Sequence, residues 1–131
     1  MASKGGVKGI TLDSGALIAF ERNRRDVVTL IARAVELKLS IVVPAGVVGQ
    51  VWRDGSRQVR LVRLLASKQV QVESLDDERA RAAGQLCGVR RTRDVIDASV
   101  VLCAKRRHHR VVTSDTGDMR RLDAEVGLIA V

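Results

Sequence analysis

The chain has 131 residues, is 46% hydrophobic and 2% aromatic, and carries a net charge of +8. That length suits one domain with a real core, the charge favours a polyanionic partner with nucleic acid first, and the scarcity of rings argues against a base-stacking platform for single strands. No stretch approaches the ~18 apolar residues of a membrane span, and MASKGGVKG lacks the apolar centre of a signal peptide, so residues 1–8 read as a loose polar start to a single-domain, cytoplasmic protein.

Residues 9–12, GITL, form a short strand candidate that ends at Asp13. SGALIAFER follows with helical spacing, capped by Asp13 or Ser14, and Asn23 marks a break. DVVTLIARAVEL reads as a second amphipathic helix with Asp26 as its cap. SIVV, residues 40–43, is a second strand closed by Pro44, which suits the opening turn of a helix over AGVVGQVWR. Asp54-Gly55 signals a turn. SRQVRLVRLLASK is a further helix whose Arg57, Arg60 and Arg63 form a basic stripe opposite the leucines. VQVE, residues 70–73, alternates as a half-exposed edge strand would. DDERARAAGQLCG is a helix with an acidic start, interrupted late by Gly84 and Gly88. Cys87 and Cys103 lack any CxxC spacing and read as small buried hydrophobes in a reducing compartment.

The richest stretch is residues 94–122, which holds four of the ten aspartates. VIDASVVLCA is an apolar run behind an acidic start, as a buried helix entered at its N-terminus would be. KRRHHR, residues 105–110, ends that helix, where cations are favoured by the dipole, and also suits phosphate contact. VVT is a buried strand, SDTGD a turn, DMRRLDAEVG holds a short helix and LIAV is a last strand. Strands thus alternate with helices from end to end. The prediction is an α/β fold, a three-layer α/β/α sandwich around a mostly parallel sheet of five strands.

In such sheets ligands bind outside the carboxyl ends of the strands. Asp13 exits the first strand and Asp115 the fourth. Asp97 sits one turn into a helix that must run antiparallel to the strands, so it reaches the same edge. Singly, Asp13 and Asp115 suit a helix cap as well as a ligand, Asp94 suits a cap, and Asp118 suits a first-turn acid. Asp97 is different, because a partnerless carboxylate at the edge of an apolar run is costly. Clustered carboxylates repel, and a hard divalent cation, Mg²⁺ or Mn²⁺, is the usual remedy.

LDSGALIA after a strand, DASVVLCA as a helix and VVTSDTGDM as strand and turn together resemble the PIN-domain family, and within it the VapC-type toxins of bacterial toxin–antitoxin pairs. The resemblance runs from Ile10 to Val131. It implies a five-stranded parallel sheet, Mg²⁺- or Mn²⁺-dependent endoribonuclease activity on RNA, homodimers and a cognate antitoxin partner. By matching, Asp13, Asp97 and Asp115 are the implied catalytic and metal-binding acids, with Asp94 and Asp118 as auxiliary candidates. One position departs: Gln50 stands where the family usually has a glutamate, and an amide adds no charge. Arg22, Arg24 and Arg25, after the first helix, are RNA-binding candidates that border either the site or the antitoxin surface. Two other readings compete. Gln50 keeps open a PIN-like module that binds RNA or protein without catalysis. A receiver-like phosphoacceptor is disfavoured, because QVQVES ends without an aspartate and LIAV offers no lysine. His108 and His109 lack ligand spacing.

Overall fold

The computed structural model describes residues 8–131, so the loose start expected for residues 1–8 lies outside the described residues except for Lys8. Lys8 is not loose: its N–H donates to His108 O and its carbonyl accepts from Ser40 N, so it already joins two neighbouring strands. The described residues form five strands and seven helices. The strands are β1 (Gly9–Leu12), β2 (Ser40–Pro44), β3 (Val70–Glu73), β4 (His109–Thr113) and β5 (Leu128–Ala130). The helices are α1 (Ser14–Glu21), α2 (Arg25–Glu36), α3 (Ala45–Val51), α4 (Val59–Ala66), α5 (Asp77–Arg90), α6 (Val95–Arg107) and α7 (Thr116–Leu122).

All strand pairs are parallel, in the order β3-β2-β1-β4-β5. Parallel strands covered on both faces need continuous β-branched runs, which IVV and VVT supply, and Ile41, Val42, Val43, Val111 and Val112 are buried. The expected edge strand is an edge strand. The chain walks from β1 to β2 to β3 on one side, then returns to β4 and β5 on the other. The crevice between the carboxyl ends of β1 and β4 is therefore the switch point of the topology, the place where open α/β sheets bind ligands.

Helix α6 lies against β1, β2 and β4 and packs with α5 and α7. Its Ala98, Val100, Val101, Cys103 and Ala104 are all buried, so it is apolar on more than one face, as a central helix must be. Helix α1 packs with α2, α3 and α4 and touches β1 and β4. The sheet thus lies between two helical groups. Both cysteines are free and buried, as expected. Among the described residues no helix is long and apolar enough to cross a membrane.

Three local expectations are corrected. Asp26 does not cap α2. Arg24 holds the N-cap position without a side-chain cap, and Asp26 instead accepts from Val27 N and pairs with Arg24 at 2.7 Å. Arg57 lies before α4, because buried Gln58 ties the preceding turn by accepting from Arg53 N and Asp54 N, so only Arg60 and Arg63 share the helix. Strand β3 does not alternate: Val72 is exposed while Glu73 is buried.

Candidate metal centre

The site is built on helix starts. Asp13 follows β1, donates its N–H to Val112 O of β4, and caps α1 by accepting from Ala16 N at 2.9 Å. The side chain is buried, at 4% exposure. Asp94 caps α6 by accepting from Asp97 N at 2.8 Å, and Asp115 caps α7 by accepting from Asp118 N at 3.1 Å. In each case a loop leaves the sheet edge and an aspartate satisfies an orphan amide of the next helix. The cap and ligand readings of the sequence are thus not rivals: one Oδ of each side chain caps, and the carboxylate still stands at the edge.

Burial and mutual charge shift these groups. Asp97 is pushed up to about 7, first by burial, then by the charge and hydrogen bond of Asp94, then by Asp13 and Asp118. Asp13 is raised by burial above all, with the charge of Asp115 adding; the Thr113 hydroxyl and the amides of Ala16 and Gly15 pull the other way. Asp118 is raised chiefly by its hydrogen bond and charge contact with Asp115. The charge contacts among these causes tie one aspartate to another, so Asp13, Asp94, Asp97, Asp115 and Asp118 form one electrostatic cluster. None of the five takes part in an ion pair among the described residues. In a chain of net charge +8 that is a concentrated local reversal of sign.

The donor set is all carboxylate oxygen, which suits a hard divalent cation such as Mg²⁺ or Mn²⁺ rather than a thiophilic one. In the present rotamers, no three acidic, imidazole or thiol side chains among the described residues converge tightly enough to enclose an ion.

Two residues that shape the site have weak sequence signals. Thr113 accepts from Asp115 N at 2.9 Å and its hydroxyl lies beside Asp13, so it links the two strand exits. A threonine two positions before a turn aspartate is the only hint of that. Gly15 packs so closely on β4's exit that a Cβ there would stand 2.1 Å from Ser114 Oγ. A glycine in the first turn of a helix is too common to be read that way from the sequence.

Gln50 is exposed on α3 and lines a cleft with Ile18, Glu21, Arg22, Arg53 and Gln58; none of the aspartates lines that cleft. Arg22 shares it. Arg24 is engaged with Asp26, and Arg25 is exposed at the start of α2. Half of the KRRHHR run is spoken for. Lys105 pairs with Asp123 at 2.8 Å, while Arg106 and Arg107 pair with buried Glu73 at 2.6 and 3.1 Å. His109 is buried, with Nδ1 3.0 Å from Thr11 Oγ1.

The family model for the PIN domain matches residues 10–125. Solved structures superpose over nearly its whole length. VapBC2 from Rickettsia felis, bound to a DNA fragment from its promoter, gives a TM-score of 0.68 at 12% identity, covering 92% of this chain and 97% of that one. A toxin–antitoxin complex from Klebsiella pneumoniae gives 0.67 at 15%, covering 93% and 97%. The sarcin–ricin-loop-cleaving toxin VapC20 of Mycobacterium tuberculosis gives 0.64 at 16%, covering 94% and 98%. At these identities the likeness is one of fold. No curated protein matches the chain.

Proposed function

The chain belongs to the PIN-domain family, and on that premise we propose that it is a metal-dependent endoribonuclease of the kind that serves as the toxin of a toxin–antitoxin pair. The observation that carries this reading is the cluster of five aspartates, unpaired with any base among the described residues, at the switch point between β1 and β4. In this reading Asp13, Asp97 and Asp115 hold Mg²⁺ or Mn²⁺, with Asp94 and Asp118 as auxiliaries. A cation so held supplies an activated water and offsets charge on a phosphate oxygen. Asp94 fixes the start of α6 and so orients Asp97. Asp97, raised by burial and by its acidic neighbours, would release its remaining proton on ligation. Thr113 ties the exits of β1 and β4 so that Asp13 and Asp115 keep their spacing. Free arginines beyond the site hold the remaining phosphates of the chain.

Gln50, where the family usually has a glutamate, adds no charge, so in this reading the negative charge at the cation comes from the aspartates. The family resemblance further supports a single domain, a homodimer and a cognate antitoxin, and one matched structure is a toxin–antitoxin complex. The test is cleavage of a structured RNA with Mg²⁺ or Mn²⁺. Asp97→Asn and Asp115→Asn are each expected to abolish cleavage while the protein stays folded. Full activity in either would sink the metal assignment for that residue. A second reading, a PIN-like module that binds without catalysis, draws on the neutral Gln50. RNA binding with no metal-dependent cleavage by the wild type would select it.

A further inference from the structure

We propose that the cleft between α1 and α3 is an RNA-phosphate subsite in which Arg22 and Arg53 take the backbone of the substrate strand and Gln50 adds a neutral hydrogen-bonding group. This rests on the nuclease reading above and extends it to a second place on the substrate. The cleft encloses about 280 Å³. Two guanidiniums and one carboxylate line it, so its lining is net positive; the carboxylate, Glu21, is held by Gln58 Nε2, which donates to its Oε1 at 3.0 Å. Neither Arg22 nor Arg53 has a carboxylate within ion-pair distance among the described residues.

Arg53 is also held in place without being neutralised. Its Nη1 donates to Gly49 O at 3.2 Å and to Trp52 O at 2.7 Å, both backbone carbonyls. A guanidinium fixed by carbonyls keeps its full charge and its other donors, and it loses less freedom on meeting an anion. The floor beneath is turned by buried Gln58, which ties Arg53 N, Asp54 N and Val51 O together.

Helix α1 joins the cleft to the aspartates. Asp13 caps its start and Arg22 is its C-cap residue. Eight helical residues span about 12 Å, so a chain with a phosphate over the aspartates reaches the cleft within a few nucleotides. A polymer with a regularly repeated charge serves both places at once. An acidic protein side chain has no such reason to bridge them, and RNA is therefore the occupant the geometry favours.

The probe is a short single-stranded oligoribonucleotide, with binding measured in EDTA over a salt series so that no cleavage intervenes. Arg22→Glu and Arg53→Glu are each expected to weaken binding roughly tenfold and to lower the slope of log affinity against log salt by about one. Arg81→Glu, which reverses an exposed arginine on α5 paired with Asp77, is the control and should lose clearly less. Equal losses in all three would overturn the subsite. Gln50→Glu supplies an independent arm. A charge added in the cleft should weaken RNA binding and leave Mn²⁺ affinity, measured by calorimetry, unchanged. Tighter Mn²⁺ binding in that variant would instead put Gln50 at the cation and overturn its place here. Equal displacement of the RNA by a poly-glutamate peptide, lost in Arg53→Glu, would make the cleft a general acid site and defeat the RNA assignment. The nuclease reading stands or falls separately, on metal-dependent cleavage in the aspartate variants.

Discussion

Asp97 carries both a chemical and a thermodynamic signature. Its carboxyl is raised from 3.8 to about 7, so the folded state favours the protonated form. Between about pH 4 and pH 7 the folded protein therefore binds more protons than the unfolded chain, and stability falls as pH rises through that window. In EDTA, the wild type should lose stability from pH 4.5 to 7.5 relative to Asp97→Asn, by about 1–2 kcal/mol after discounting for solvent screening of a partly exposed group. Denaturant melts at the two pH values check it, and parallel pH profiles would show that the group is not raised. Gly15 offers a steric counterpart. Gly15→Ala should cost about 1 kcal/mol, since the exposed Ser114 hydroxyl can turn away while its Cβ stays 3.1 Å from the new methyl, and Ser114→Gly should recover part of that in a double-mutant cycle. The positions of Asp13, Asp94, Asp97 and Asp115 were legible in the sequence because strand exits and helix starts carry local signals. The roles of Thr113 and Gly15 were not, since both depend on how closely α1 approaches the end of β4.

At the level of elements, the order of strands and helices could be read from pattern alone, and the misreadings share one cause. Where another side-chain partner competes with the expected local signal, the partner wins. Asp26 looked like a cap, yet Arg24 engages it. Arg57 looked helical, yet Gln58 reaches back to fix the turn before α4. Glu73 looked like the exposed end of an edge strand. It is 6% exposed, with Arg79, Arg106 and Arg107 all within ion-pair distance. It therefore ties β3 to α5 and to the end of α6. Glu73→Ala would leave three guanidiniums facing one another beside a buried gap. A loss of about 3 kcal/mol is expected, at the lower end for a broken buried pair because the arginine heads are partly solvated. Urea titration reads it directly; a change within 0.5 kcal/mol, about the size of a surface substitution, would show that the cluster is not structural.

Over the whole molecule, charge is partitioned rather than spread. Glu73, Asp123 and Asp26 use up part of the basic inventory in ion pairs, and the site aspartates gather at one edge with no basic partner among the described residues. Cationic arms around an acidic centre suit a polyanion held by its flanks. In EDTA the wild type should bind RNA with affinity that falls steeply with salt, by several counterions' worth of slope. A flat dependence would mean that the +8 charge is not used on phosphate. Composition alone gave the sign of that preference. It could not say which arginines are free, because ion pairing is decided by folding.

The neighbouring places of β1 and β4 carry a consequence for how the protein comes into being. Leu12 pairs with Val112, so the two halves of the acidic edge are drawn from opposite ends of the chain. A nascent chain emerging from the ribosome presents Asp13 early and has nothing to set beside it until Asp94, Asp97, Asp115 and Asp118 have been made. If the edge is the cutting site, a fragment that ends before β4 carries only part of it. The edge is complete only once β4 pairs with β1.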